Sequence, residues 1–506
     1  MSRGAPSLWL AACLLVGVGA CEAPQDAMLI VDVTIVDGTG APGYQGAVRV
    51  RDGIIVDVGA LDATPGDSVV EGTGMVLAPG FIDTHSHHDG GLLDSREATA
   101  VVSQGITTIV VGQDGGSRFP LADFFSAVSS TPPAINVASY TGHGRIRREV
   151  LGDDYRRPAT DAEIDRMIEL LTADLEAGSL GLSTGLEYDP GIYSEPDEVI
   201  RLARVAGEAG GRYISHMRSE DRALFDAVDE IINIGREADV PVQISHMKLA
   251  MKSLWGQADD LVQKLEEARV SGVDITADVY PYQSWQSTMT VLFPDREYTR
   301  EAAAFALDQL APPDGMIIGR YTPERSYEGQ TLAEIAEARG EDAVTTYLAL
   351  IDAVHGPDAP DGASESILAR SMAAEDITTL LQWEHTNVCT DGGLAGPHPR
   401  GFGTFTRILG QYVREDGALT LEDAVHRMTQ LAAQHVGITG RGEIAVGMAA
   451  DLVLFDPATV MDRATFESPH ELSVGIDAVW VGGELVWNGQ TTTGAMPGVL
   501  LRRTGT

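Results

Sequence analysis

The chain has 506 residues, which is too long for one compact core, and its 44% hydrophobic and 22% charged residues are ordinary for a globular protein. Its formal net charge of −39 disfavours nucleic acid as a partner, because an acidic surface repels phosphates. We therefore expect one large domain with a smaller domain attached.

The N-terminus has the pattern of an export signal. Arg3 precedes an apolar run from Leu8 to Ala20, and small residues stand directly before Cys21. A basic flank, a short apolar stretch and a small-residue cleavage site are typical of secretory signals, and the run is short for a bilayer span. We expect residues 1–20 to be a lipoprotein-type signal, with export to the bacterial periplasm or cell envelope and membrane contact only through a lipid on Cys21. An ordinary signal with an incidental cysteine is the alternative.

Both ends of the remaining chain have β-strand patterns. Residues 28–36 are rich in β-branched residues, and residues 47–59 form two strand-like runs joined at Asp52-Gly53, a strong hairpin signal. Short apolar runs return after Gly440. Pairing of the two ends is the simplest way to bury both apolar sets. We expect residues 28–77 and 440–503 to form one composite β-sandwich domain.

Residues 78–436 have a different rhythm, in which apolar runs of strand length alternate with amphipathic helical stretches. Eight such units predict an α/β fold of the (β/α)8 TIM-barrel type. The rhythm is disturbed at about 293–379, where we expect an insertion or lid over the barrel mouth. The eight expected strands are 81–84, 107–111, 135–139, 180–183, 213–216, 243–246, 274–280 and 388–391.

Metal-ligand side chains fall at the ends of these strands. His85 and His87 are two residues apart and therefore share a face, while His216, His246 and Asp391 each end a later strand. Barrel active sites lie at the carboxyl ends of the strands. A single histidine of this kind is usually a satisfied polar residue, but four histidines and an aspartate at one rim predict a centre for a metal such as Zn²⁺.

At this point the sequence resembles a known family. His85-Ser86-His87 after Pro79-Gly80-Phe81-Ile82-Asp83, with later strand-end His and Asp, resembles the amidohydrolase superfamily. Finer segments resemble its D-aminoacylase (N-acyl-D-amino-acid deacylase) branch, and the resemblance runs from Met28 to Arg503. These segments are residues 102–108, 181–186, 215–218, 278–282, 390–392, 397–400, 424–428 and 447–453.

The resemblance implies roles for individual residues. It implies one or two Zn²⁺ ions, or another divalent metal, held by the histidines, and Asp391 as the general base that later protonates the leaving amine. It also implies contacts to the substrate, its carboxylate or the developing oxyanion. The metal ligands implied are His85, His87, His216, His246 and Asp391, and the substrate contacts are Lys248, Tyr280, Ser287 and Arg400.

One position departs from the family pattern. Where the family has cysteine, this chain has Asp114, in Gly112-Gln113-Asp114-Gly115. A carboxylate can still bind or bridge metal ions, with more tolerance for ions such as Mn²⁺ that prefer oxygen. The alternative is that Asp114 only caps the following loop. Lysine is absent before Lys248, which excludes a carboxylated lysine on the fourth strand as a bridge. Any bridge must come from Asp114.

The resemblance implies hydrolysis of an N-acyl-D-amino acid, or of a dipeptide ending in a D-residue. A cyclic-amide hydrolase of hydantoinase or dihydroorotase type, or a general dipeptidase, is the enzymatic alternative; Arg400 and the D-aminoacylase-like segments count against the cyclic-amide version. A non-catalytic, surface-anchored binding protein is the alternative from another class. Asp391 counts against it, because binding alone needs no general base.

Overall fold

The computed structural model describes residues 27–503 and Met1, so the predicted signal peptide and Cys21 lie outside the described residues. The strands are β1 (Ala27–Ile35), β2 (Tyr44–Arg51), β3 (Ile54–Gly59), β4 (Asp67–Glu71), β5 (Val76–Pro79), β6 (Phe81–Asp83), β7 (Ile106–Val111), β8 (Asn136–Ser139), β9 (Thr141–Gly142), β10 (Gly181–Gly185), β11 (Arg212–His216), β12 (Val242–Ile244), β13 (Ile275–Val279), β14 (Ser284–Ser287), β15 (Met316–Tyr321), β16 (Glu365–Arg370), β17 (Thr386–Val388), β18 (Leu452–Phe455), β19 (Ile476–Val481) and β20 (Glu484–Trp487).

The helices are α1 (Thr99–Val102), α2 (Leu121–Ser130), α3 (His143–Leu151), α4 (Asp161–Ala177), α5 (Pro196–Glu208), α6 (Leu224–Ala238), α7 (Ala258–Val270), α8 (Arg300–Gln309), α9 (Leu332–Arg339), α10 (Ala343–His355), α11 (Ala374–Gln382), α12 (Arg400–Arg407), α13 (Leu421–Met428) and α14 (Gln430–Val436), with a π-helix over Ile408–Glu415. Short 3-10 turns cover Gly152–Asp154, Gly191–Tyr193, Lys252–Leu254, Met289–Leu292 and Arg325–Tyr327. In the described part of the chain, no helix combines the length and the apolar character that a bilayer crossing needs.

The barrel is built from two runs of parallel strands. One has the order β6-β7-β8 and the other β9-β10-β11-β12-β13-β17. Only Tyr140 separates β8 from β9, so the runs make eight barrel strands, and the predicted (β/α)8 fold is confirmed. All six residues of β7 are buried, as expected of a strand covered on both faces. At the carboxyl end the amide of Asp391 donates to His85 O (2.9 Å), which joins the last strand to the first.

The small domain combines both ends of the chain. Its sheet has the order β20-β19-β18-β5-β1-β2-β3, and β4 also pairs with β1. β1 pairs with β4 along its first half and with β5 near its end, so the sheet forks there. The β2–β3 hairpin turns at Asp52-Gly53, where both residues have positive φ (51° and 76°), the conformation that this dipeptide favours.

An excursion follows the seventh barrel strand, β13. It contains the antiparallel sheet β14-β16-β15 and the helices α8, α9 and α10. The sequence placed it at about 293–379, whereas the structure places its outer strands at 284–287 and 365–370. The excursion begins earlier than expected because β14 pairs with β16 inside it. It ends earlier than expected because α11, which follows β16, packs on the barrel helix α7.

The C-terminal tail returns to the barrel instead of ending in the small domain, where the sequence analysis placed it. Val137 N in β8 donates to Val499 O (3.0 Å), and Leu501 N donates back to Val137 O (2.8 Å). Arg503 N then donates to Gly178 O (3.1 Å), just before β10. β10 pairs with β9 nearer the carboxyl ends of the barrel strands. The tail therefore occupies the space between the amino-terminal ends of β8 and β10, which form the lower end of the barrel.

Candidate metal centre

The first ligand group lies where β6 and β17 end. His87 Nε2 lies 3.2 Å from Asp114 Oδ2 and 3.2 Å from Asp391 Oδ1. His85 Nε2 lies 3.4 Å from Asp114 Oδ1 and 3.6 Å from Asp391 Oδ1. Two imidazoles and two carboxylates therefore converge within reach of a single cation.

The second ligand group shares Asp114 with the first. His246 Nε2 lies 3.4 Å from Asp114 Oδ1 and 3.0 Å from His216 Nδ1. These atoms come from the ends of three different barrel strands, β7, β11 and β12. The structure thus brings all six predicted ligand residues together, with the Asp114 carboxylate common to both groups.

Backbone packing brings Asp114 to this position. The residue has φ 53°, a left-handed conformation that aspartate tolerates better than most residues. A Cβ on Gly185, in the neighbouring strand β10, would lie 2.3 Å from Asp114 O, so only glycine permits this approach. His246 (φ 37°) and Asp391 (φ 47°) are also left-handed, and such strained residues cluster at functional sites.

The unsatisfied polar atoms of the site fit a metal ion. Both ring nitrogens of His85 and Oδ1 of Asp114 are buried without a hydrogen-bond partner among the described residues. Buried polar atoms in native proteins nearly always have partners, so such a cluster calls for a bound ion or water. Imidazole nitrogens and carboxylate oxygens are ligands of Zn²⁺ and similar divalent ions.

Two buried carboxylates that the sequence analysis missed stand behind the second ligand group. His216 Nε2 lies 2.8 Å from Glu187 Oε2; because a carboxylate only accepts, this nitrogen carries the proton and Nδ1 is left for a metal. Glu220 Oε1 lies 2.9 Å from His246 Nδ1 and accepts from Lys248 Nζ at 2.6 Å. Burial raises the pKa of Glu187, an effect that the hydrogen bond from His216 only partly offsets.

Asp391 lies between the ligands and a guanidinium. Its Oδ2 is 2.7 Å from Arg400 Nη1, and both side chains are nearly buried. Burial alone would raise the pKa of Asp391, but the charge of Arg400 and the neighbouring histidines together outweigh it and lower the pKa below its usual range. A Cβ on Gly392 would lie 2.5 Å from Gly401 Cα, so the backbones that carry the two charged residues are packed directly against each other.

The predicted substrate-contacting residues share this cavity. Lys248, Tyr280 and Ser287 line an inner pocket together with His216, His246 and Asp391. An outer cavity continues past Ser287 to His87, Asp114 and Arg400. The guanidinium carbon of Arg400 lies 4.7 Å from the centre of the Tyr280 ring, and the buried Tyr280 hydroxyl has no partner among the described residues.

Histidine and carboxylate ligands lie together at the carboxyl ends of the strands of a (β/α)8 barrel. This combination of fold and site is that of a metal-dependent hydrolase. The sequence profile of the Amidohydrolase family matches residues 68–352 and 292–487. The chain belongs to the amidohydrolase family, and the resemblance seen in the sequence is confirmed.

Three relatives from Alcaligenes xylosoxydans xylosoxydans match nearly the whole chain. An N-acyl-D-glutamate deacylase is 38% identical over 93% of this chain and 95% of its own length. A D-aminoacylase is 36% identical (94% and 98%) and an N-acyl-D-aspartate deacylase 37% identical (95% and 96%).

Solved structures agree with these matches. N-acyl-D-glutamate deacylase from Bordetella bronchiseptica, complexed with zinc and a phosphonate inhibitor, matches with a TM-score of 0.85, 34% identity and coverage of 94% of this chain and 100% of that one. D-aminoacylase, studied for its binuclear metal centre, matches with a TM-score of 0.84, 34% identity and coverage of 95% and 100%. A D-hydantoinase shares the fold at 18% identity and a TM-score of 0.59, covering 95% of this chain and all of its own.

Proposed function

We propose that the chain hydrolyses the amide bond of N-acyl-D-amino acids, or of dipeptides ending in a D-residue, with Zn²⁺ or another divalent metal. The observation that carries this proposal is the position of Asp391, with one oxygen toward the histidines and the other on Arg400. The metal ligands we assign are His85, His87, Asp114, His216, His246 and Asp391.

In the proposed reaction Asp391 moves the proton. A divalent ion in this ligand set supplies Lewis-acid activation of water and of the acyl carbonyl. Because the charge of Arg400 favours the ionised form of Asp391, its carboxylate accepts a proton as the water oxygen bonds to the acyl carbon. Asp391 then gives that proton to the amide nitrogen as the C–N bond breaks, which yields a carboxylate and a free D-amino acid.

Recognition of the substrate carboxylate falls to the cations and hydroxyls of the cavity. Arg400 has five N–H donors, so it can hold Asp391 and a substrate carboxylate together. Lys248 adds a second positive charge from the inner pocket, and Tyr280 and Ser287 add hydroxyl donors. A simple hydantoin has no free carboxylate for this cluster, which favours the acyl-amino-acid substrate over the cyclic amide.

Purified, metal-loaded protein should be assayed on N-acetyl-D-amino acids, their L-enantiomers, simple dipeptides and hydantoin. We expect turnover of D-substrates with at least about a 100-fold preference over L-substrates, the size of effect that a lost buried polar contact produces. Asp391→Asn should keep metal at the second ligand group and reduce kcat by about 10²–10⁴-fold. No turnover of any D-substrate, or wild-type turnover by the variant, would refute the proposal.

We also propose export and a lipid anchor, which rest on residues 1–21 of the sequence. The full-length protein expressed in a Gram-negative host should sediment with the membrane fraction, and Cys21→Ala should release it into the soluble fraction. The same sedimentation for both proteins would contradict the anchor.

A further inference from the structure

We propose that the site takes D-amino acids with neutral, apolar side chains and excludes acidic ones. This inference rests on the proposed function and narrows its substrate class. Relatives named for D-glutamate, for D-aspartate and for neither are similar to this chain to nearly the same degree, so overall similarity does not decide among them. The residues that line the pocket indicate which substrate side chains it accepts.

The inner pocket has no cation to spare for an acidic side chain. Lys248 is the one lysine or arginine among its described lining residues. Its Nζ already lies 2.6 Å from Glu220 Oε1 and 2.8 Å from His246 Nδ1. In the proposed function the substrate α-carboxylate also contacts Lys248 and Arg400, so a second substrate carboxylate would be buried without a counter-ion.

Anionic groups on the pocket wall strengthen the exclusion. Besides Glu220, which already offsets the charge of Lys248, Glu187 and Asp221 line the pocket. Asp221 is 8% exposed, and its contacts are local: Oδ1 accepts from Ser219 Oγ and Arg222 N, both at 2.6 Å, while Arg222 Nε is 3.8 Å from Oδ2. The carboxylate of an acidic substrate side chain would lie beside these wall carboxylates in a space with little water, so the two negative charges would repel each other strongly.

Much of the remaining wall away from the proposed metal ligands is apolar, and its other polar groups, such as Gln286, are uncharged. Trp285, Val291, Leu292 and Leu310 line the pocket with exposures of 8%, 8%, 5% and 1%. They come from the part of the excursion that also carries Ser287. A substrate side chain that enters the inner pocket therefore contacts hydrocarbon.

The outer cavity does not supply the missing cation. The Arg296 guanidinium is engaged by Asp189 Oδ1 (3.2 Å) and by the carbonyls of Glu187 (2.9 Å) and Phe293 (2.8 Å). Arg156 is mostly solvent-exposed and also lies toward Asp189. An acidic side chain that reached these arginines would find most of the Arg296 donors occupied and the charge of Arg156 screened by solvent.

The metal-loaded enzyme tests this inference by kcat/KM on the N-acetyl derivatives of D-Leu, D-Met, D-Gln, D-Glu and D-Lys. We expect D-Leu and D-Met to exceed D-Glu by at least about 100-fold, and D-Gln to exceed D-Glu by about tenfold, because D-Gln has nearly the same shape without the charge. D-Glu or D-Lys as the best substrate, or equal rates for D-Gln and D-Glu, would overturn the inference. Inactivity on every D-substrate would instead refute the proposed function.

A pair of variants at one position separates charge from shape. Val291→Arg adds a cation to the wall and should raise the D-Glu to D-Leu ratio of kcat/KM by about tenfold or more, whereas Val291→Leu should leave the ratio near the wild-type value. Asp221→Asn, which removes one wall carboxylate, should move the ratio in the same direction. Ratios within one preparation do not depend on the folded fraction, and unchanged ratios in both charge variants would overturn the inference.

Discussion

Asp114 is the residue at which this chain differs from the cysteine pattern of its family. Its oxygens face both ligand groups at 3.2–3.4 Å. Oxygen donors select less strongly for Zn²⁺ than sulfur does. We expect Asp114→Cys to raise the preference for Zn²⁺ over Mn²⁺ by about tenfold or more, measured by metal analysis after competitive loading.

A spectroscopic control accompanies that variant. The Co²⁺-loaded cysteine variant should gain a near-ultraviolet sulfur-to-metal absorption band that the wild-type protein lacks. An identical Zn²⁺/Mn²⁺ preference in both proteins, without the band in the variant, would show that residue 114 does not bind metal.

Glu187 holds the distal nitrogen of His216 and should therefore control metal affinity more than chemistry. Loss of such a partner typically weakens metal binding 10- to 100-fold. We expect Glu187→Gln to raise the metal dissociation constant within this range, measured by chelator competition, while kcat at saturating metal changes much less. Glu208→Gln, at an exposed position of α5, is the matched control. Equal dissociation constants in the two variants would contradict this role.

The individual ligands were predictable from the sequence, but their supporting carboxylates were less so. His85 and His87 follow the two-residue period of a strand, and the barrel rule places strand ends at one rim. Glu187 and Glu220 also follow the ends of β10 and β11, which is the signal that could have found them. The loops must fold back before either carboxylate reaches an imidazole, and no local pattern encodes that path.

At the scale of elements, Asp174 ties the helix α4 to its neighbours. Its carboxylate accepts from Leu121 N at the start of α2 (3.2 Å) and from Thr141 Oγ1 in β9 (3.3 Å). Burial raises the pKa of Asp174 to about 6, above the value of about 3.9 in an unfolded chain. The folded state therefore binds the extra proton between these values, and this contribution to stability is lost as the pH rises through about 6.

The prediction compares Asp174→Asn with the wild-type protein from pH 4 to pH 7. The variant lacks the titration, so its free energy of unfolding should improve relative to wild type by on the order of 2 kcal/mol across the window. Melting temperatures at each pH provide the measurement, and Asp123→Asn, at an exposed position in α2, should show no such trend. A constant difference between Asp174→Asn and wild type would contradict the assignment.

Elements with strong local patterns were predicted well, and those that depend on distant partners were not. The buried runs of the barrel strands and the Asp52-Gly53 hairpin carry their own signals. Residues 284–287 (Ser-Trp-Gln-Ser) show little alternation and become a strand because residues 367–370 pair with them. The C-terminal tail likewise has a partner only because the chain path brings it under the barrel.

At the scale of the whole molecule, that tail closes the lower end of the barrel. Leu501 packs on a buried cluster that includes Ile82, Val110 and Ala138, whereas Val499 is 44% exposed. Leu501→Asp places a carboxylate against this cluster and should destabilise the fold by about 1–3 kcal/mol. Val499→Asp, two residues earlier, should stay within about 0.5 kcal/mol. Thermal unfolding compares the two, and equal losses would contradict a sealing role for Leu501.

The same tail constrains the order in which the molecule can be completed. Residues 499–503 follow the barrel strands by more than 300 residues in the chain, yet they fill the space between the strands formed from residues 136–139 and 181–185. While these residues remain in the ribosomal exit tunnel, the barrel lacks part of the wall between β8 and β10. The nascent chain therefore cannot complete the wall of its barrel until residues 499–503 have emerged, long after the strands they join have been synthesised.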